Sequence, residues 1–285
     1  MLKPPVQSDS NVLKQRVITG VVLVILVLCV ILLLPPSLFL MAFAAIICQG
    51  AWEWSRLAGL QGSTLRRGYL VVTLLAMAGL YKLPSEQRVV VFYVGSFWWV
   101  LAFYLIRRYP ALGPHWKHPV PMCITGLLVL LPGWTALVQL SSSPHYVQLI
   151  LLLFALVAGA DIGAYFCGRA FGKHKLAPNV SPNKTWEGFA GGILLSCMIA
   201  LTALLTAPLD PPPSLRLVLL VSTAAFAVAV FSVVGDLFES MVKRLAGVKD
   251  SGSLLPGHGG VLDRIDSITA ALPLYVLSLQ LVSLP

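Results

Sequence analysis

Residues 215–236 read LRLVLLVSTAAFAVAVFSVVGD. After Arg216 the run holds no charge until its last residue, Asp236. At about 1.5 Å of rise per residue it is long enough to cross the roughly 30 Å hydrocarbon layer of a bilayer as a helix. The stretch therefore predicts a spanning helix that ends on an acid preceded by a glycine. Eight further apolar runs share its character, at 17–34, 38–57, 69–83, 89–106, 120–140, 147–167, 187–206 and 267–284. The third is the shortest. Pro35-Pro36 makes the first connection tight, and Pro132-Gly133 is placed to kink the fifth helix. The fold class read from this pattern is all-α, a polytopic integral membrane protein with about nine transmembrane helices.

Composition agrees. The 285 residues are 58% hydrophobic and only 11% charged, with a mean hydropathy of +0.86. A soluble chain carries about twice that share of charge. The net charge of +9 is dispersed between the apolar runs. That suits loops facing anionic lipid, and no basic–aromatic nucleic-acid module is present, so membrane lipids and not nucleic acid are the expected partners. Cys29, Cys48, Cys123, Cys167 and Cys197 all lie in or beside apolar runs, without a Cys-x-x-Cys pair. They read as small buried hydrophobes, not as a disulfide or zinc framework. The first apolar run lacks a small-x-small cleavage site and reads as a retained helix.

Basic residues set the expected orientation. With the N-terminus in the cytoplasm and nine crossings, every Lys and Arg of the 20 except Lys82, Arg88 and Arg216 falls inside. The inside set runs from Lys3, Lys14 and Arg16 through Arg56, Arg66, Arg67, Arg107, Arg108 and Lys117 to the two polar loops. Cytoplasmic loops carry such an excess. The expected organisation is a polar tail at 1–16, a transmembrane scaffold at 17–146, and a catalytic region at 147–285 whose loops 168–186 and 237–266 face the cytoplasm. No internal repeat supports an inverted-repeat transporter.

The second of those loops is where the chemistry concentrates. Residues 240–266 read SMVKRLAGVKDSGSLLPGHGGVLDRID. Lys243, Arg244, Lys249 and Arg264 stand among Asp250, Asp263 and Asp266, with Asp236 and Glu239 just upstream. Lys and Arg neutralise phosphate oxygens, and Mg²⁺ favours one or two carboxylates completed by water and substrate phosphate. The glycines flanking His258 permit close backbone approach, and the helix expected after them would offer free N–H groups to an anion. On a continuing helix Asp236, Ser240 and Lys243 share a face. Glu239 reads as a helix-end partner of Lys243. Glu53, near the inner end of the second run, reads as an interfacial or Arg56-paired carboxylate ahead of a substrate role. Trp52, Trp54, Trp98 and Trp99 read as interface anchors or packing.

The first loop echoes this. Asp161 lies near the inner end of the sixth run, and Gly159, Gly163 and Gly168 would allow close helix approach. Arg169, Lys173, Lys175 and Lys184 follow, with Ser181 and Thr185 hydroxyls. Positive-inside anchoring accounts equally well for the first three of those cations.

The order Ser240-x-x-Lys-Arg, Lys249-Asp, Pro256-Gly-His-Gly-Gly, Asp263-Arg-x-Asp266 resembles the signature of the bacterial phosphatidate cytidylyltransferases (CDP-diacylglycerol synthases). Ser181-Pro-x-Lys-Thr-Trp-Glu-Gly188 is similar to a second block of that family, and the likeness is weak before about residue 150. The resemblance implies a reaction of CTP with phosphatidic acid to give CDP-diacylglycerol and pyrophosphate, at a polar cavity open to the cytoplasm of the inner membrane. It implies Mg²⁺ held by Asp236 and Asp263, with Asp266, Asp161 and Asp250 in a second tier. Lys243, Arg244, Lys249, Arg264 and His258 are then catalytic contacts to phosphate, and Ser181, Lys184, Ser240, Gly259 and Gly260 bind substrate. A second, monovalent cation such as K⁺ and a homodimer are implied by the family alone. A different membrane lipid-phosphate transferase and a cation-coupled transporter are the alternative readings. The Asp-Gly-x-x-Ala-Arg block of CDP-alcohol phosphotransferases is absent, against the first. The glycine-rich loop set among cations counts against the second.

Overall fold

The structure, a computed structural model, describes residues 9–111 and 116–282. Lys3 lies outside the described residues, as do residues 283–284 of the last expected span and the side chains of Lys14 and Arg16. In chain order the described elements are α1 (Asp9–Leu33), α2 (Pro36–Leu57), α3 (Ser63–Lys82), α4 (Ser85–Arg108), α5 (Pro119–Ser141) and α6 (Tyr146–Phe171). A hairpin follows, β1 (Lys175–Ala177) and β2 (Ser181–Thr185), and then α7 (Trp186–Thr206), α8 (Leu215–Ala246) and α9 (Leu262–Val282). These nine helices match the nine apolar runs one for one. Seven of them, all but α1 and α3, are long and apolar enough to cross a membrane by length and composition. The fold is nearly all-α, and the protein is a membrane protein.

Three local differences from the sequence reading have physical causes. Helix α1 begins at Asp9 within the expected tail. Helix α8 does not close at Asp236 but continues to Ala246. At about 1.5 Å per residue its 32 residues reach about 48 Å, well beyond the hydrocarbon thickness. Charge ends the apolar run without ending the helix, because Leu237, Phe238, Met241 and Val242 continue a buried face. The real stop is Gly247 at φ 73°, whose N–H and that of Val248 close onto the carbonyl of Lys243.

The third difference is the antiparallel hairpin within the 168–186 loop, with Lys175 opposite Thr185 and Ala177 opposite Ser181. It feeds straight into α7, where Thr185 Oγ1 accepts the Gly188 N–H at 3.1 Å as an N-cap. The cap anchors the end of β2 and so fixes the strand that carries Lys184.

Helices α6 and α7 pack at backbone distance. A Cβ at Gly163 would overlap the Gly191 carbonyl, and one at Gly192 would overlap that of Ala160. Helices α8 and α9 cross in the same way at Gly235, where a Cβ would overlap the Asp266 carbonyl and the Ala270 methyl. The tryptophans serve packing. Trp54 is buried and its Nε1–H donates to the Met122 carbonyl at 2.7 Å. Trp98 and Trp99 of α4 present their rings edge-on to Phe238 of α8, at centroid distances of 5.6 and 5.9 Å. They brace α8 from the scaffold side, two residues beyond Asp236.

Candidate active site

The two polar loops meet at one end of the bundle. Lys184 on β2 reaches Asp236 on α8, Nζ to Oδ2 at 2.5 Å. Asp236 Oδ1 lies 3.4 Å from Ser240 Oγ, one helical turn on. A further turn brings Lys243, whose Nζ contacts Asp263 Oδ1 of α9 at 2.5 Å and Glu239 Oε2 at 3.4 Å. The shared face of Asp236, Ser240 and Lys243 is therefore present, as is the Glu239–Lys243 pair. The close crossing at Gly235 places Asp236 within electrostatic range of Asp266. Asp161 on α6 lies in range of Lys184, Asp236, Asp266 and Arg264. It faces a cavity of about 300 Å³ that Tyr165, Ser181, Asn183 and Lys184 also line.

Asp263 is bonded through both of its oxygens. Its Oδ2 accepts from Gly260 N (2.7 Å), Ser251 Oγ (2.9 Å) and Ser251 N (3.0 Å). Arg264 is exposed and its Nη2 donates to the His258 carbonyl at 3.0 Å. The glycine-rich segment folds as a tight turn in which Leu255 and Gly259 bridge, with Gly257 and Gly259 at positive φ. Such angles cost a side chain 1 kcal/mol or more, roughly, and cost glycine little. His258 Nδ1 is buried without a hydrogen-bond partner, and its Nε2 faces Gly20 of α1. Arg244, Lys249 and Asp250 are exposed and make no side-chain hydrogen bond or ion pair among the described residues.

One expectation needs correction. The first N–H groups of α9 are not free for an external anion. Glu53 of α2 takes them: Oε1 accepts from Val261 N and Oε2 from Leu262 N, both at 2.9 Å. Glu53 is not paired with Arg56; it is 1% exposed, with Gln49, Ser251, Val261 and Leu262 as its partners. A helix N-terminus does attract an anion, and here that anion is part of the chain. Sequence reasoning undervalued Glu53 and did not single out Ser251. The signal for the first was present, since a carboxylate within an apolar run needs a partner. Ser251 carried none.

The donor set can be tested against a divalent cation. Among the described residues no three His, Cys, Asp or Glu side chains converge as a ready-made metal cage. A site that relies on one or two carboxylates and takes its other ligands from phosphate and water has that appearance, and this suits Mg²⁺. Negative charge is also in excess. Asp161 and Asp236 lie about Lys184, Glu239 and Asp263 lie about Lys243, and the buried Glu239 carboxyl faces that of Asp266. Buried carboxylates so arranged call for a cation.

Carboxylates, ammonium groups and a tight glycine turn at the end of a membrane helix bundle define a membrane enzyme for phosphate-bearing substrates. The chain belongs to the cytidylyltransferase family, whose model matches residues 14–282. It is similar to the phosphatidate cytidylyltransferase of Pseudomonas aeruginosa, at 46% identity over 264 residues covering 92% of this chain and 95% of the relative. The enzyme of the same name from Haemophilus influenzae is 39% identical over 285 residues, covering 92% and 97%. That of Bacillus subtilis is 47% identical over 128 residues, which are 45% of this chain and 46% of the relative.

Proposed function

We infer that this enzyme transfers the cytidylyl group of CTP to phosphatidic acid, releasing pyrophosphate and leaving CDP-diacylglycerol in the membrane. The observation that carries the reading is the pairing of Lys184 with Asp236 and of Lys243 with Asp263, two ion pairs that share helix α8 and bring residues distant in sequence together. Bacterial relatives and the distribution of basic residues support a cytoplasmic membrane with this site facing inward. Nucleotide triphosphate is available on that side.

In the reaction a phosphate oxygen of the lipid attacks the α-phosphorus of CTP, and the bond from that phosphorus to the leaving pyrophosphate breaks. The nucleophile is already an anion at neutral pH, so no general base is required. What the chain must supply is position and positive charge. Lys184 is held by one carboxylate and Lys243 by two, and these ammonium groups are the ones assigned to phosphate oxygens. Arg244, Lys249 and Arg264 are exposed and are the further cations assigned to phosphate, with His258 contacting phosphate from the turn. Asp236 and Asp263 are the acids assigned to Mg²⁺, with Asp266, Asp161 and Asp250 in support and a monovalent cation drawing on the same donors. Bound there, Mg²⁺ would neutralise triphosphate charge and orient it for in-line attack.

Electron paramagnetic resonance with Mn²⁺ in place of Mg²⁺ tests the assignment without relying on turnover. Purified enzyme with CTP should immobilise Mn²⁺, and Asp236→Asn should weaken that binding at least tenfold. Equal Mn²⁺ binding by the folded variant would remove Asp236 from the metal site.

A further inference from the structure

We propose that Glu53, on the scaffold helix α2, is the positioning residue that sets the conformation of the 250–263 segment for cytidylyl transfer. The proposal rests on the reading above that this segment belongs to the active site. Some 200 residues separate Glu53 from its partners there, yet its carboxylate is saturated by them: Val261 N on Oε1, and Leu262 N and Ser251 Oγ on Oε2, all at 2.9 Å. Gln49, one turn earlier on α2, adds a fourth donor at 3.1 Å and braces the carboxylate from its own helix. A buried carboxylate is stable only when so satisfied.

The Ser251 hydroxyl bridges this anchor to Asp263 directly, beside the Ser251 and Gly260 backbone N–H groups that Asp263 also holds. Ser251 Oγ lies 2.9 Å from Glu53 Oε2 and 2.9 Å from Asp263 Oδ2. Its single proton serves either carboxylate, so the hydroxyl ties Glu53 to Asp263, and Asp263 in turn holds Lys243. Backbone packing closes the arrangement. A Cβ at Gly252 would overlap Glu53 Oε1, and one at Gly260 would overlap Glu53 Oε2 and Ser251 Oγ. Both glycines are thus explained by the carboxylate they enclose. The chain needs glycine there to let backbone N–H groups wrap a side chain, and α9 begins where that wrapping ends.

The consequence is a division of labour. Asp263 and Lys243 meet substrate, while Glu53 touches none of it and acts through Ser251, Gly260 and the first turn of α9. Glu53→Gln keeps the shape but replaces one acceptor oxygen by an NH₂ group, which must face Val261 N–H, or Leu262 N–H and the Ser251 hydroxyl. Donor then meets donor and the wrap loosens.

The test combines hydrogen–deuterium exchange with steady-state kinetics on the purified full-length enzyme. In E53Q, exchange across 251–262 should accelerate at least tenfold while the core of α9 beyond Thr269 keeps wild-type protection. The kcat should fall at least tenfold with the KM for phosphatidic acid within threefold of wild type. Ser251→Ala leaves the Glu53 contacts to Val261 and Leu262 and the backbone bonds of Asp263 intact, and removes only the hydroxyl that bridges the two carboxylates, so it should lower kcat in the same way. The double variant should be no worse than the more impaired single one, because both cut the same link. Wild-type exchange in E53Q, whatever its turnover, would overturn the proposal. Faster exchange with wild-type kcat would overturn it for another reason, by showing that the segment itself takes no part in catalysis. If E53Q does not fold, S251A carries the decision: wild-type kcat there overturns the link to Asp263.

Discussion

Replacing Asp263 by Asn removes one charge and changes little else in size. Asp263 bonds Lys243 through Oδ1 at 2.5 Å and three donors through Oδ2 at 2.7 to 3.0 Å. The amide has one oxygen to serve both sides. With that oxygen toward Ser251 and Gly260, the NH₂ group faces the Lys243 ammonium and the ion pair is lost. The opposite rotamer sets NH₂ against three donors, which is worse. The side chains of Lys243 and Asp263 are 12% and 6% exposed, so the pair is nearly buried, and breaking such a pair costs about 3–5 kcal/mol. Glu239 at 3.4 Å still partners Lys243, which favours the lower end, about 3 kcal/mol. Expressed in the transition state, that corresponds to a rate lower by roughly two orders of magnitude. Formation of labelled CDP-lipid, measured alongside circular dichroism and gel filtration, reads out rate and fold together. Turnover within about threefold of wild type in a well-folded D263N protein would refute the role given to this carboxylate.

Two further outcomes are expected. Gly235→Ala drives a methyl group into the Asp266 carbonyl and Ala270, at a cost of about 1–3 kcal/mol of overpacking; it should lower both melting temperature and activity. Gly79→Ala, with open space around it, should leave both near wild type, and equal behaviour of the two variants would contradict the close crossing of α8 and α9. A cysteine at Ser253, exposed in the second loop, should in a background without the five native cysteines react with a membrane-impermeant maleimide in inside-out vesicles only. Labelling in intact cells would reverse the orientation.

Much of this architecture was legible in the sequence because a bilayer imposes a simple rule. Nine apolar runs gave nine helices, and the shortest, 69–83, belongs to α3, which together with α1 lies below the spanning threshold. The face shared by Asp236, Ser240 and Lys243 also followed from helical periodicity alone, although the expected end of α8, at Asp236, fell short of its real end at Ala246. A charge marks where a run stops being apolar, not where hydrogen bonding stops. The β1–β2 hairpin was hidden, since strands of 3 and 5 residues have too little pattern to declare themselves. Glu53 was visible as an anomaly but not as an anchor. Its partners lie some 200 residues away, and three of its contacts involve Val261, Leu262 and Ser251, whose side-chain chemistry announces nothing about a carboxylate. Backbone donors leave no trace in sequence.

The most direct test of the central claim is product formation by the purified protein in detergent with phosphatidic acid, labelled CTP and Mg²⁺, with and without EDTA. The account predicts labelled CDP-diacylglycerol and pyrophosphate in equal amounts, dependent on the lipid and abolished by EDTA. Absence of product from folded, lipid-replete protein would contradict it, and EDTA-insensitive product would contradict the metal assignment.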